Sequence, residues 1–478
     1  MNILIIMSDE HSHQAMGCSG HPIVKTPVLD RLAGEGTIFT NCYTPSPLCV
    51  PGRASFFTSR YVHQLGTWDN STPYDGCVKG ISHYLSEQGF SLSSFGKWDF
   101  HPEGCYEGLE AELFGVRKKP DIEALFRETG RVRPNTEKRF RDMGVRDKLS
   151  HDEQVRDAAI RWLRNHHEGE KPWVLYLGFT QPHFPFYVKK EFWDYYRGTL
   201  KETPSVAKEP FTSLNEPLSA LRRHFRGDAA DDEIIRMAHE GYYAAISELD
   251  DNVGRVLATL EEEGLAHDTL VIYTSDHGEQ LGHHGLWWKC CMFEESVHVP
   301  LIMRGPGIKK GGEVETLVSL VDIFPTLCQA LALAAPANTV GRSLWNLAVG
   351  EADVARDDFV FSEYHAHGMP VGMYMIRWRN WKYVHYVGYR PQLFDLAGDP
   401  EESCDLAGLE LDNSTRGDII REVMAECEKR LYSVCDPQAV DRRAKGFQAK
   451  LRAEFKLDED GAGKANLPVP HPEALHIQ

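Results

Sequence analysis

Four short apolar runs, far apart in the chain, each end in a cluster of polar residues. Residues 3–7 run into Ser8-Asp9-Glu10-His11, residues 90–95 into Gly96-Lys97-Trp98-Asp99, residues 173–179 into Gln181-Pro182-His183, and residues 269–274 into Ser275-Asp276-His277-Gly278. Continuous apolar runs of this length predict strands buried on both faces of a mainly parallel sheet. In open sheets of that kind the ligand crevice lies beyond the carboxyl ends of the strands. The four polar ends are therefore expected to converge.

Helical patterns fill the gaps. Thr26-Pro27 ahead of Val28, Leu29 and Leu32 reads as a capped start with proline at the first position. Ser150 and Glu153 form a capping box ahead of Val155, Ala158, Ala159 and Trp162. From about residue 231 to 263, Tyr242, Ile246, Leu249, Val253, Val256, Leu257 and Leu260 make the stripe of one long core helix. Residues 102–149 and 198–230 have mixed charge and weak periodicity, which predicts excursions over the sheet edge of the sort that carry specificity loops.

The pattern changes near residue 365. Residues 373–377, 381–386 and 392–396 read as short antiparallel strands, and a helix over about 418–432 places Ile419, Val423, Cys427 and Leu431 on one side. The expected division is a catalytic α/β domain over 1–365, a small α+β domain over 366–436, and a tail over 437–478. That tail is charged, then rich in proline (Pro468, Pro470, Pro472), and is expected to be an arm lying on a surface or a neighbouring subunit.

Among the 478 residues, 52 are basic and 70 acidic, a formal charge of -18, which argues against nucleic acid or an anionic polymer as partner. A small anion drawn into a locally positive pocket remains compatible with it. The eleven cysteines show no paired Cys-x-x-Cys spacing, and reduced thiols in a cytoplasm are the expectation. The first residues are too short and uncharged a run for a signal peptide, and no apolar run approaches membrane-spanning length, so no membrane association is expected.

The chemistry concentrates in a few places. In Cys49-x-Pro51-x-Arg53, a helix entered through Pro51 would put Arg53 on the same face as Cys49. Asp9 and the Asp276-His277 pair offer hard oxygen and borderline nitrogen donors from two strand ends. A lone Asp after a strand is usually a cap or turn residue. Two of them, one within an Asp-His-Gly triplet, point instead to a cation.

Cys49-x-Pro51-x-Arg53 resembles the signature of the sulfatases, a branch of the alkaline-phosphatase superfamily. The stretch from Asp276 to Gly282 with Lys289, the Gln181-Pro182-His183-Phe184-Pro185 loop, and Phe394-Asp395-Leu396 with Asp399-Pro400-Glu401 are similar to further motifs of that family. Together they span residues 2 to about 407 and look closest to choline-sulfatase and phosphonate monoester hydrolase types. The resemblance implies an alkaline-phosphatase-like α/β/α sandwich with a large, mostly parallel sheet and a small carboxy-terminal α+β domain with an antiparallel sheet. It implies hydrolysis of a small-molecule sulfate monoester, with Cys49 oxidised to formylglycine by a maturation enzyme. A hydrated aldehyde offers one hydroxyl to attack and a second to expel the product, which a thiol does not.

By the same resemblance Asp9, Asp276, His277 and the modified Cys49 hold one divalent metal, calcium first and manganese as the alternative. Arg53, Lys97, His183 and Lys289 bind the sulfuryl oxygens, His183 protonates the leaving alcohol, and Asn70 lies near the substrate. Two positions depart from the family pattern. Glu10 stands where many sulfatases carry a second Asp, and its role stays open. Asp99 stands where Gly-Lys-x-His is usual, so Asp99 or His101 would have to replace the missing base. A phosphonate monoester or phosphodiester hydrolase, and a non-catalytic sulfate-ester-binding protein, are the competing readings. Homo-oligomer formation through the tail is a further open expectation.

Overall fold

The structure, a computed structural model, describes residues 1–116, 119–165, 172–203, 214–353, 356–409 and 415–457. Eight strands build the main sheet: β1 (Asn2–Asp9), β2 (Thr37–Phe39), β3 (Leu92–Phe100), β4 (Leu109–Val116), β5 (Val174–Pro182), β6 (Thr269–Ser275), β7 (Leu301–Arg304) and β8 (Gly312–Val314). Their order is β8-β2-β7-β6-β1-β5-β3-β4. Only β7 runs antiparallel to its neighbours. The four apolar runs singled out in the sequence are the four adjacent strands β6, β1, β5 and β3, all parallel. Their polar ends therefore emerge side by side on one edge.

Strand alternation explains why both faces are apolar. Leu4 and Ile6 of β1 pack with Leu175, Leu177, Val271 and Tyr273 under α1 (Pro27–Glu35) and two later helices. Ile3, Ile5 and Met7 face the other way, onto Phe56 and Phe57 of α2 (Cys49–Thr58) and onto Phe324 and Leu327. The two later helices are α3 (His151–Arg164) and α4 (Asp232–Glu262). Ser150 caps α3 through the expected box with Glu153. The Thr26 side chain does not cap α1. Asp250, from α4, accepts from the Val28 and Leu29 amides at 3.0 and 2.9 Å and does that work from a distant part of the chain.

A second, antiparallel sheet joins β9 (Phe359–Tyr364), β10 (Met373–Trp378), β11 (Trp381–Tyr386) and β12 (Gln392–Asp395) in sequence order. Its first strand comes from just before residue 366. Against it pack α5 (Thr415–Val434) and α6 (Pro437–Glu454). On α5 Val423, Cys427 and Leu431 are buried as expected, but Ile420 takes the first place of the stripe and Ile419 is 47% exposed. The start of the expected arm is the helix α6, whose Val440, Ala444, Phe447 and Leu451 enter the core. An i, i+4, i+7, i+11 repeat among its charges carries that burial. Pro468, Pro470 and Pro472 lie outside the described residues.

Lys382 on β11 ties the small sheet to the body. It is fully buried, with Nζ 2.6 Å from Glu294 and 2.8 Å from Glu402. Burial pushes the Glu402 carboxyl up to about 8 although Lys382 opposes the shift. A carboxyl raised in the folded state contributes stability that is present below its unfolded value and is lost as pH rises through about 8. Replacing Lys382 by Met leaves two buried acids without their cation, which costs about 3–5 kcal/mol. Urea denaturation of Lys382→Met is expected to show that loss at pH 8 and a smaller one at pH 5, where the acids can protonate.

Candidate active site

Position 49 opens α2, and its place there is set by the backbone. Leu48 is extended, the helix begins at Cys49, and the Val50 amide donates to Asn70 Oδ1 at 3.2 Å. Cys49 Sγ then faces the tips of β1 and β6. It lies 3.2 Å from His277 Nε2 and 3.9 Å from Asp9 Oδ1. The donor atoms of Asp9, Cys49, Asp276 and His277 all lie within 4.8 Å of one another, and all four residues are buried. Two carboxylates, one imidazole and position 49 form a donor set that fits a divalent cation, and an oxygen at position 49 would make it harder still.

By the family resemblance Arg53 is expected to bind the sulfuryl oxygens. It shares the Cys49 face of α2 as the spacing predicts, but it is 0% exposed and does not line the cavity in front of Cys49. Its Nε donates to Asp276 Oδ2 at 2.8 Å, Nη1 to the Lys97 carbonyl and the Tyr176 hydroxyl at 2.9 Å, and Nη2 approaches Asp9 Oδ2 and the Ser8 carbonyl at 3.4 Å. Every guanidinium nitrogen is committed to protein. In this arrangement Arg53 holds the two carboxylates.

The cavity itself holds about 260 Å3. Cys49, Asn70, Lys97, His183 and Lys289, all named from sequence, line it together. Lys97 reaches it because β3 and β5 approach closely at their ends. Gly96 has φ +98°, and a Cβ there would sit 2.2 Å from the Gly178 carbonyl oxygen. Lys97 Nζ contacts Asp9 Oδ2 and lies 3.1 Å from Asp99 Oδ2.

Lys289 Nζ lies 2.8 Å from His183 Nε2 and 3.0 Å from Glu10 Oε1. The His183 Nδ1 meets its neighbour's carbonyl, Phe184 O, which fixes the tautomer and leaves Nε2 as the working nitrogen. Glu10 Oε2 lies 3.4 Å from that Nε2, and its oxygens make ion-pair approaches without a directed hydrogen bond. Glu10 thus faces the Lys289–His183 pair, and with His183 and Asp9 it forms a second group of donor atoms within 4.8 Å of one another, sharing Asp9 with the first.

Burial sets the charge states. Burial would raise Asp9, but the neighbouring cations, Lys97 ahead of Arg53, outweigh it and hold the carboxyl well below its ordinary value. Burial pushes Glu10 up to about 8 against the pull of Lys289. Burial first and the Lys289 charge second hold His183 well below its ordinary value, so the resting imidazole is neutral. Burial and the adjacent Asp9 push the Cys49 thiol up to about 12.

Neither candidate replacement base lines the main cavity with Cys49. Asp99 lines an adjoining recess with Lys97, Thr180 and His183, and the His101 ring accepts from the Glu103 amide at 3.1 Å outside both cavities. Sequence reasoning missed Asp121, Arg133, Arg139, Phe184, Phe225, Trp288 and His367, which also line the main cavity. Asp121, Arg133, Arg139 and Phe225 come from the two excursions expected over the sheet edge.

The sulfatase family model matches residues 1–333, and that of the N-sulphoglucosamine sulphohydrolase C-terminal region matches residues 282–432. The chain belongs to the sulfatase family. This sulfatase is 31% identical to arylsulfatase K of Mus musculus over 429 residues, 85% of this chain and 76% of that protein. It is 30% identical to the choline-sulfatase of Rhizobium meliloti (strain 1021) over 488 residues, 96% and 92% of the two chains. Its fold matches the crystal structure of the phosphonate monoester hydrolase of Agrobacterium radiobacter with a TM-score of 0.74 at 23% identity, covering 97% and 99%. The sulfatase is a sulfuric ester hydrolase with the α/β architecture of the alkaline-phosphatase superfamily.

The buried, neutral Cys49 has a chemical consequence. In chain produced without a maturation enzyme and stripped with chelator, iodoacetamide at pH 8 is expected to label the exposed Cys105 and Cys404 and to leave the Cys49 peptide unlabelled. Peptide mass spectrometry reads the result, and labelling of Cys49 at a rate comparable with Cys404 would contradict it.

Proposed function

We propose that the sulfatase hydrolyses a small sulfate monoester with a formylglycine derived from Cys49, beside one divalent ion held by Asp9, Asp276, His277 and position 49. The observation that carries this reading is one cavity in which Cys49 and the cations Lys97 and Lys289 meet, with a four-donor group directly behind. When present, the ion and the aldehyde hydrate would supply an acidified hydroxyl as nucleophile. Three oxygen donors against one imidazole favour calcium, with manganese as the alternative that His277 supports.

The protein's own groups do the rest. Arg53 holds Asp9 and Asp276 in orientation. Lys97 and Lys289 act as point charges on the sulfuryl oxygens, and each is held in place by a carboxylate behind it, Asp9 and Glu10. The negative charge of a bound ester raises the His183 pKa, so that Nε2 can take up a proton and deliver it to the departing alcohol oxygen. Lys289 and Glu10 border that nitrogen and are the local proton reservoir. Asp99, paired with Lys97, is the group we assign to proton removal late in the cycle in place of the absent histidine.

Cys49 is 2% exposed, which supports oxidation by a formylglycine-generating enzyme before folding is complete. Eleven cysteines without a disulfide support a reducing, cytoplasmic setting. The phosphonate monoester reading keeps some support from His277 as donor and from the shared fold.

In a host with the maturation enzyme, mass spectrometry of the Cys49 peptide is expected to show conversion to the aldehyde, and Cys49→Ala to abolish turnover. Lys97→Ala is expected to lower kcat/KM for an aryl sulfate about 10²–10³-fold. Full activity of an unmodified Cys49 would refute the mechanism. Faster turnover of an aryl phosphonate monoester than of an aryl sulfate would reverse the substrate ranking.

A further inference from the structure

The cavity carries more positive charge than one sulfate needs. Lys97 faces Asp9 and Asp99, Lys289 faces Glu10, and Arg133 Nη2 pairs with both oxygens of Asp121 at 3.2 and 3.0 Å. Arg139 has no such partner. Its half-buried guanidinium makes no ion pair or side-chain hydrogen bond among the described residues and feels Asp121 and Asp142 only at longer range. Burial first, and the neighbouring Arg133 charge second, lower its pKa from the ordinary value. A bound anion would offset both effects.

The layout fixes where that anion would sit. Phe184 stacks on His183 with ring centroids 4.5 Å apart. Lys289 Nζ lies 5.5 Å from the Phe184 centroid, and Arg139 Cζ lies 5.8 Å from it. The sulfate-binding cation and the unpaired one are therefore within one ring's reach of each other. Phe225 and Trp288, 4.9 Å apart, supply flat apolar wall between them and Phe184. At about 260 Å3 the space is below the roughly 300–1,000 Å3 of pockets for drug-sized ligands. It suits a single small ring.

We propose that Arg139 is the receiving cation of a second anion subsite, and that the alcohol half of the ester is a small ring bearing its own carboxylate or sulfonyl-type anion. The proposal rests on the sulfate-ester reading above and narrows its substrate class. Three aromatic walls could in principle cage a quaternary ammonium. Here, however, Lys289 and Arg139 already approach Phe184, and the lining carboxylate, Asp121, is committed to Arg133. A cationic alcohol would be repelled by the Arg139 charge, which no ion pair among the described residues offsets.

The test compares four esters on the matured enzyme at low salt: 4-nitrophenyl sulfate, its ring-carboxylated and ring-sulfonated analogues, and choline sulfate. An added charge-assisted contact predicts kcat/KM for at least one anionic analogue about ten-fold above that for 4-nitrophenyl sulfate. Arg139→Gln is expected to erase that preference by raising KM for the anionic ester, Arg139→Lys to keep most of it, and added salt to weaken it. Which analogue is preferred tells carboxylate from sulfonate. A preference untouched by Arg139→Gln, or choline sulfate as the best substrate, would overturn the proposal. If no ester is turned over, the sulfatase mechanism fails first. Calorimetric binding of the carboxylated ester then decides the subsite: equal affinity in the parent and Arg139→Gln would sink it, and weaker binding by the variant would sustain it.

Discussion

One guanidinium without access to solvent organises the centre of this protein. Arg53 bonds Asp276 at the tip of β6, approaches Asp9 at the tip of β1, and holds the Lys97 carbonyl of β3 and the Tyr176 hydroxyl of β5. Four adjacent strands and the helix carrying position 49 thus meet at a single side chain. Removing such a charge from water is expensive, and the expense is recovered only when every donor is matched and partner charges are close. Arg53 satisfies both conditions. The same contacts aim two carboxylates at Cys49, which is the arrangement a divalent cation requires.

That arrangement depends on strand order. Because β6, β1, β5 and β3 are parallel neighbours, their carboxyl ends fall on one edge, and residues separated by more than 260 positions come into contact there. Two glycines facing each other, Gly96 and Gly178, let β3 and β5 close up where larger residues would collide with backbone oxygens. Lys97 reaches the cavity from that approach. The small antiparallel sheet is held to this frame by Lys382, and α6 reaches back to it through Gln448, which donates to Asp69 Oδ2 and the His365 carbonyl at 2.7 Å.

Much of this was legible because it rests on local pattern. Apolar runs ending in Asp, Lys and His declare strands and their ends, and Cys49-x-Pro51-x-Arg53 declares a helix start. What failed to show was partnership at long range. The spacing put Arg53 beside Cys49 but could not say whether its fork pointed to solvent or to buried acids. Asp250 capping α1 lies 222 residues from the amide of Val28, beyond any local signal. Ile419 and Ile420 are equivalent to a hydropathy pattern, and only packing against β10 and β11 chooses Ile420. Arg133 and Arg139 sit in a segment without periodicity, where an arginine lining a cavity reads the same as one in water.

The two ends of the cavity accordingly answer to different constraints. The reacting end is built from strand tips and the first turn of α2, where a shift of an ångström would break the match between Arg53, its acids and position 49. The other end is built in part from the described segments 119–149 and 214–230, which lie outside the main sheet. Chemistry is therefore fixed by the frame, while the identity of the alcohol is set by residues such as Arg139 that contribute little to holding the frame together. A relative of this sulfatase could keep Asp9, Cys49, Arg53, Lys97, Asp276 and His277 and still take a different ester, because the charge presented beyond Phe184 is a separate choice.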